Sequence, residues 1–216
     1  MYNNMPNQKR EFQIENIINL FDNVESFPIN CTYHPTENAT HIFITIPGVD
    51  GSHNGYMNKY ISMAEYIISN SKSSVLRTSN PYISSLHWDT NFERLMENIE
   101  SKLNKYIDIS IFAMSAGASI TAKHAFKYPK IKRLVLCSMA KELQPEGIKE
   151  GLKKFPGDVE VYYGKEDPNH IFIPELESLN LPIKFKVFEN CDHYFSGVNL
   201  DTFIKLPLYS KVTDEN

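Results

Sequence analysis

No stretch of this 216-residue sequence stays apolar for long enough to cross a membrane as a helix. Blocks of like charge are also missing, and a net charge of −4 is spread along the chain. That removes the basic patch on which a nucleic-acid or membrane-surface role depends. The three cysteines, Cys31, Cys137 and Cys191, are odd in number and lack metal-ligand spacing. A disulfide framework and a structural metal site are therefore excluded, and the thiols read as reduced. The first twenty residues carry Lys9, Arg10, Glu11 and Glu15 where a secretory leader needs an apolar run, so the expected location is cytoplasmic. Internal repeats and low-complexity segments are absent as well. What remains is an ordinary globular composition, long enough to bury a core as one domain over residues 9–216. A polar, Asn-rich tail at 1–8 is expected to be disordered.

The most informative stretch lies in the middle of the chain. Ile109, Ile111 and Phe112 form an apolar run rich in β-formers. It stops at Ala113-Met114-Ser115-Ala116-Gly117, and an Ala-rich helical pattern follows without a gap. Strand, abrupt small-residue turn bearing a serine, then helix is the setting of a nucleophile elbow. Such a turn strains the serine backbone and needs small neighbours two positions to either side, here Ala113 and Gly117. The helix behind it aims unpaired N–H groups and a positive dipole end at whatever the serine attacks.

Around this centre the pattern alternates strand and helix. Residues 12–27 lack a clean period and read as a short strand with a turn of helix. Strands are expected at Ile29–Tyr33, Thr40–Ile46, Ser74–Arg77, Ile131–Ser138, Asp158–Tyr163 and Ile183–Phe188. Helices are expected from Tyr56 to Ile68, behind a capping box at Thr90-Asn91-Phe92-Glu93, from the elbow to about Tyr128, near Glu146–Lys154 and after His193. The runs at 40–46 and 131–138 are apolar on both faces, as in a parallel sheet covered by helices. The expected fold class is therefore α/β, a mostly parallel central sheet with helices on both faces. Ligands in such sheets bind beyond the carboxyl ends of the strands, where Val49, Ser115, Asp167 and His193 fall.

A serine hydroxyl needs a base to remove its proton, and the base needs a third group to fix its tautomer. Loops after three separate strands supply one candidate each, in the order Ser115, Asp167, His193. This order, with Tyr163-Gly164-Lys165-Glu166-Asp167-Pro168 as acid loop and Asp192-His193-Tyr194-Phe195 as histidine loop, resembles the α/β-hydrolase family from about Thr40 onward. Within that resemblance the position before Pro168 favours Asp167 over Glu166, its rival one residue away. The resemblance also implies two backbone donors for an oxyanion, Ala116 and one from Pro47-Gly48-Val49-Asp50-Gly51, best placed at Val49. Two departures stand: Ala113 replaces the usual first glycine, and the oxyanion loop lacks the histidine many members carry.

The activity implied is that of a capless serine hydrolase acting through an acyl-enzyme on small soluble esters, with no metal and no organic cofactor. Thioesters and amides use the same machinery, and a non-catalytic binding relative or a flavodoxin-like binding domain would share the sheet. Met114, beside the serine, and His53, Tyr82 and Trp88 are candidates to wall the pocket, whose walls are expected to come from the loops at 47–54, 78–89 and 139–145. The expected partner is a small-molecule ester, not nucleic acid or a membrane. Only 19 residues, 139–157, follow strand 131–138 before the next strand, too few for a large cap.

Overall fold

A computed structural model describes residues 8–20, 23–84, 87, 89–103 and 106–209. The tail expected at 1–8 therefore lies outside the described residues except for Gln8. In chain order the elements are β1 (Arg10–Ile14), β2 (Ile17–Leu20), β3 (Asn23–Ser26), β4 (Ile29–His34), β5 (His41–Ile46), α1 (Lys59–Asn70), β6 (Ser74–Thr78), α2 (Thr90–Lys102), β7 (Asp108–Met114) and α3 (Ala116–His124). They continue with β8 (Ile131–Cys137), α4 (Pro145–Lys154), β9 (Asp158–Gly164), α5 (Ile173–Glu177), β10 (Ile183–Phe188) and α6 (Leu200–Lys205). Eight strands make one sheet in the order β1-β4-β6-β5-β7-β8-β9-β10. It is parallel from β6 to β10; at one edge β4 runs antiparallel to β6, and β1 runs antiparallel to β4.

Side chains alternate across the sheet, as a period of two requires. Ile42, Ile44 and Ile46 of β5, Ile111 and Ala113 of β7, and Leu134 and Leu136 of β8 bury one face under α2, α3 and α4. Phe43, Phe112, Met114, Val135 and Cys137 bury the other face under α1 and α6. Each strand thus contributes apolar side chains both ways, which is why the runs at 41–46 and 131–137 carry no polar alternation. On α3, Ala118 and Ala122 are fully buried, and the small face brings the helix close to the sheet.

Three expectations need correction. The strand expected at the start of 12–27 is β1, recruited by β4 with Phe12 paired to Cys31, but the described residues of the segment hold no helix: β2 and β3 form a separate two-stranded ribbon there. A strand partner elsewhere in the chain outweighs an ambiguous local period. Helix α1 starts at Lys59, not Tyr56. Met57 (φ 53°) and Asn58 (φ 58°) are left-handed, and Tyr56 and Met57 are turned out to solvent. Helix α2 begins at Thr90, but no capping box closes it, because the N-cap position falls on Asp89, whose side chain caps nothing.

Asp89 instead ties α2 to α3, with its carboxylate on Lys123 and 3.0 Å from His124 Nε2. Burial pushes its pKa up, but the hydrogen bonds and charges of His124 and Lys123 outweigh it and bring the pKa down to about 2. Helix α4 packs against α3 on the flank of the sheet, and among the described residues no large cap covers the carboxyl ends of the strands. Among the described residues, no helix is long and apolar enough to cross a membrane.

Because the folded pKa of Asp89 lies below its unfolded value, its stabilisation is present above the unfolded pKa and is lost as pH falls through about 2. Asp89→Asn should therefore cost about 1–2 kcal/mol at neutral pH. Denaturant unfolding should show the gap between wild type and variant shrinking below about pH 4. A constant gap down to pH 2 would disprove the ion-pair account.

Candidate active site

The elbow is built as its residue sizes suggest. Ser115 sits between β7 and α3 with φ 53° and ψ −125°, a conformation that a non-glycine residue holds only under strain. Its N–H donates to the Cys137 carbonyl at 2.9 Å, which anchors the turn on β8. A Cβ on Gly117 would lie 2.3 Å from the Pro47 carbonyl oxygen and 2.8 Å from that of Ile46. No side chain fits there, so glycine lets α3 dock on the end of β5. Ala116 opens α3, and its N–H has no acceptor within the helix.

The loop after β5 is pressed against the serine. A Cβ on Gly48 would stand 3.1 Å from Ser115 Cβ and 3.5 Å from its Oγ. The loop turns tightly, Gly51 N–H donating to the Gly48 carbonyl at 3.1 Å. Behind it runs a relay of buried asparagines. Asn16 Nδ2 donates to Asn91 Oδ1 at 2.7 Å, and Asn91 Nδ2 donates to Asn80 Oδ1 at 2.8 Å. Asn80 Nδ2 then reaches the carbonyls of Pro47 (3.1 Å) and Gly48 (3.4 Å). In a trans peptide the C=O and N–H point opposite ways. Holding the Gly48 carbonyl towards Asn80 therefore turns the Val49 N–H away from it.

Two more loops bring the acid and the imidazole together. Asp167 is fully buried at the start of a 3-10 turn (Pro168–Phe172). Its Oδ1 accepts from Asn169 N at 2.9 Å and Nδ2 at 3.1 Å, and its Oδ2 meets His193 Nδ1 at 2.9 Å. Burial pushes the Asp167 carboxyl up, yet the hydrogen bonds from His193, Asn169 and Ser138 and the His193 charge hold it below its ordinary value. The loops touch because a Cβ on Gly164 would fall 2.1 Å from the Cys191 carbonyl oxygen. Glu166, the rival acid, is exposed. The Cys191 thiol is buried and pushed up to about 12, chiefly by desolvation, which removes it as a nucleophile.

Ser115 and His193 share one open cleft of about 280 Å³, near the small end of ligand sites. It is lined by the loop at 47–52, by Gly55, Tyr56, Lys59 and Tyr60, and by Met114 and Tyr194. Of the expected walls, Met114 takes its place and two do not. His53 is drawn off because its carbonyl accepts from Arg77 Nη1 at 2.8 Å. Tyr82 stands beside a separate small hollow with Pro81 and His87. Trp88 lies outside the described residues, and loop 139–145 supplies no lining residue. Sequence reasoning passed over Tyr56, Lys59 and Tyr194 in the lining and Asn80, Ser138 and Asn169 behind it. Of these only Asn169 had a local signal, the Asp-x-Asn spacing of an N-cap.

No protein-family model and no curated protein sequence matches this chain. Solved structures do. Est1E from Butyrivibrio proteoclasticus superposes with a TM-score of 0.71 at 14% identity, covering 94% of this chain and 99% of that one. A dienelactone hydrolase from Anabaena variabilis gives 0.74 at 13% identity over 96% and 98%. An alpha-beta serine hydrolase homologue from Coxiella burnetii gives 0.66 at 16% identity over 91% and 96%. This is the α/β-hydrolase fold. In an α/β-hydrolase sheet the strand-end loops meet at one place, and here they bring Ser115, His193, Asp167 and the Gly48–Val49 peptide into one neighbourhood.

The asparagine relay makes a measurable claim about this α/β-hydrolase loop. Asn80→Ala removes the side-chain donor from the Pro47 and Gly48 carbonyls and one acceptor from Asn91, which keeps Asn16 and the Pro81 carbonyl as partners. It should cost about 2 kcal/mol in unfolding free energy. Hydrogen exchange of the Gly51 amide should speed up selectively. Unchanged exchange at Gly51 would show that the loop holds itself.

Proposed function

We propose that this chain is a serine hydrolase that cleaves small soluble esters through an acyl-enzyme. The observation that carries the reading is the hydrogen-bonded Asp167–His193 pair opening on the cleft that holds Ser115, itself strained and pressed against Gly48. The hydrolase and esterase names of the structural neighbours support the same chemistry.

In this reading Ser115 Oγ attacks the carbonyl carbon while His193 Nε2 takes its proton. Asp167 holds Nδ1 and so selects the tautomer with Nε2 towards the serine. The hydrogen bond from Ser115 Oγ to His193 Nε2 forms when substrate fills the cleft, since such contacts shorten in the substrate complex. The oxyanion points at the N–H groups of Val49 and Ala116, and donors of this kind contribute several kcal/mol at that step. His193 then protonates the leaving alcohol, and water enters by the same route in reverse to free the acid. None of these steps calls for a metal or an organic cofactor. The partner is the small ester itself, and neither nucleic acid nor a membrane takes part. Three free, buried cysteines fit a reducing compartment, and we place the protein in the cytoplasm.

Fluorophosphonate labelling tests the reading, because it requires an activated serine. Ser115 should be labelled, and Ser115→Ala and His193→Ala should each lower kcat/KM on the best ester by about 1,000-fold or more. The double variant should be hardly worse. Asp167→Asn should fall between these and wild type, and Glu166→Gln should change little. A non-catalytic relative would show neither labelling nor turnover.

With no cap over the cleft, few acyl carbons can be buried, each contributing about 0.8 kcal/mol. The rate on p-nitrophenyl esters should peak between acetyl and roughly hexanoyl, a range set by the small cleft. It should not jump when substrate passes its solubility limit. An optimum at long chains would disprove the open-cleft account.

A further inference from the structure

The cleft holds one charged side chain whose role the reaction above leaves open. Lys59, in the first turn of α1, is only 5% exposed, and it lines the cleft beside Ser115 and His193. Its ammonium carries three donors and makes weak contacts. Met114 Sδ stands at 3.4 Å, the Tyr194 carbonyl at 3.4 Å, and the Phe203 ring centroid at 4.0 Å. A sulfur, a π face and one neutral oxygen at the long limit are poor replacements for water around a cation. Among the described residues no carboxylate pairs with it. Asp192, the acid whose charge reaches it, spends Oδ1 on the N–H groups of Tyr194 (3.1 Å) and Ser196 (2.8 Å). Desolvation accordingly lowers the Lys59 pKa.

Position makes this more than a buried lysine. Its two polar contacts are the side chain just before Ser115 and the main chain just after His193. The other described residues lining the cleft are Pro, Gly, Val, Ser, Tyr, Met and His, so with His193 neutral as the base none of them offers a formal counter-charge. The Phe203 contact gives Lys59 a structural reason to be held still, and a held cation next to a reaction centre is preorganised for an anion. Because the cleft is small, that anion must share a short molecule with the scissile carbonyl.

We propose that Lys59 is a specificity-determining residue and that the substrate is an ester carrying a carboxylate a few bonds from the scissile carbonyl, such as a half-ester of a short dicarboxylic acid. This deepens the serine-hydrolase reading and rests on it for turnover. Each cycle breaks the acyl carbon–oxygen bond. Water supplies an oxygen to the new carboxylate and a proton to the departing alcohol, and the second proton of water goes to solvent. No oxidant or further reactant is involved.

The test compares the monomethyl esters of succinic, glutaric and adipic acids with methyl butanoate, pentanoate and hexanoate, their neutral matches. Wild type should favour at least one anionic ester over its match by tenfold or more in kcat/KM. Raising the salt from 20 mM to 500 mM should shrink that preference, both figures being about the range over which screening lengths fall severalfold. Lys59→Met should lower the ratio about tenfold and Lys59→Arg should keep most of it. A wild-type ratio near one overturns the proposal, as does a Lys59→Met variant that loses both esters equally. If Lys59→Met fails to fold, the wild-type ratio and its salt dependence decide alone. Calorimetric titration with glutarate separates this outcome from failure of the hydrolase reading. Glutarate binding that Lys59→Met abolishes, in a protein that fluorophosphonate does not label, keeps the anion site and removes the hydrolase. Labelling of Ser115 without glutarate binding or anionic preference does the reverse.

Discussion

Everything at the carboxyl end of this sheet depends on how closely the ends of β5 and β7 approach each other. Ile46 pairs with Ala113 in the last rung of the ladder. One step further on, the chains must part, one into the loop at 47–51 and the other into α3. They part in van der Waals contact, because Gly117 has no side chain to strike the Ile46 and Pro47 carbonyls and Gly48 has none to strike Ser115. Backbone packed on backbone is stiff in a way that side-chain packing is not, since no rotamer can relieve a misfit. That stiffness sets the distance between the serine and the Gly48–Val49 peptide.

Rigid placement has a cost, and the structure shows where it falls. Asp50, Ser115, Ser138, Asn190 and Phe195 all have positive φ, and all lie in loops at the carboxyl ends of strands. Three of them are held by partners nearby. Ser115 is held through its N–H on Cys137, Ser138 through its N–H on Tyr162, and Phe195 by burial among the rings of Phe188 and Phe203. Strain of about 1–3 kcal/mol per such residue persists only where the surroundings overdetermine the conformation. The same region buries a carboxylate, Asp167, and surrounds it with donors. It also buries an ammonium, Lys59, with weak partners only. The contrast between a fully satisfied charge and a poorly satisfied one, both beside one cleft, is the main electrostatic feature of the site.

Much of this was legible in the sequence. The doubly apolar runs of β5 and β8 announced a covered parallel sheet, because a strand buried on both faces has no reason to alternate. The small residues around Ser115 announced a sharp turn, because only Ala and Gly tolerate that crowding. Asp167 and His193 were readable since each follows a strand end, and a parallel sheet gathers such ends on one side. Glu166 was separable from Asp167 only by resemblance. The structure separates them by burial, one carboxylate wholly enclosed and its neighbour exposed.

What only the tertiary structure decided shares one cause: it depends on partners that no local period marks. That the residues after β1 form a ribbon instead of a turn of helix was settled by β2 and β3 pairing with each other. Arg77, fully buried and with no carboxylate partner among the described residues, donates to His34, the His53 carbonyl and Asn54 and so takes His53 away from the cleft. Left-handed turns at Met57 and Asn58 end a pattern that reads as continuous helix, turning Tyr56 out to the cleft and leaving Lys59 to start α1. The asparagine relay links residues 16, 91, 80 and 48, none adjacent in sequence. Local periodicity determines which face of an element is apolar, and residue size determines where backbones can touch. Which polar side chains meet, and which charge is left short of a partner, is determined by the three-dimensional arrangement of loops, for which a sequence carries no local period.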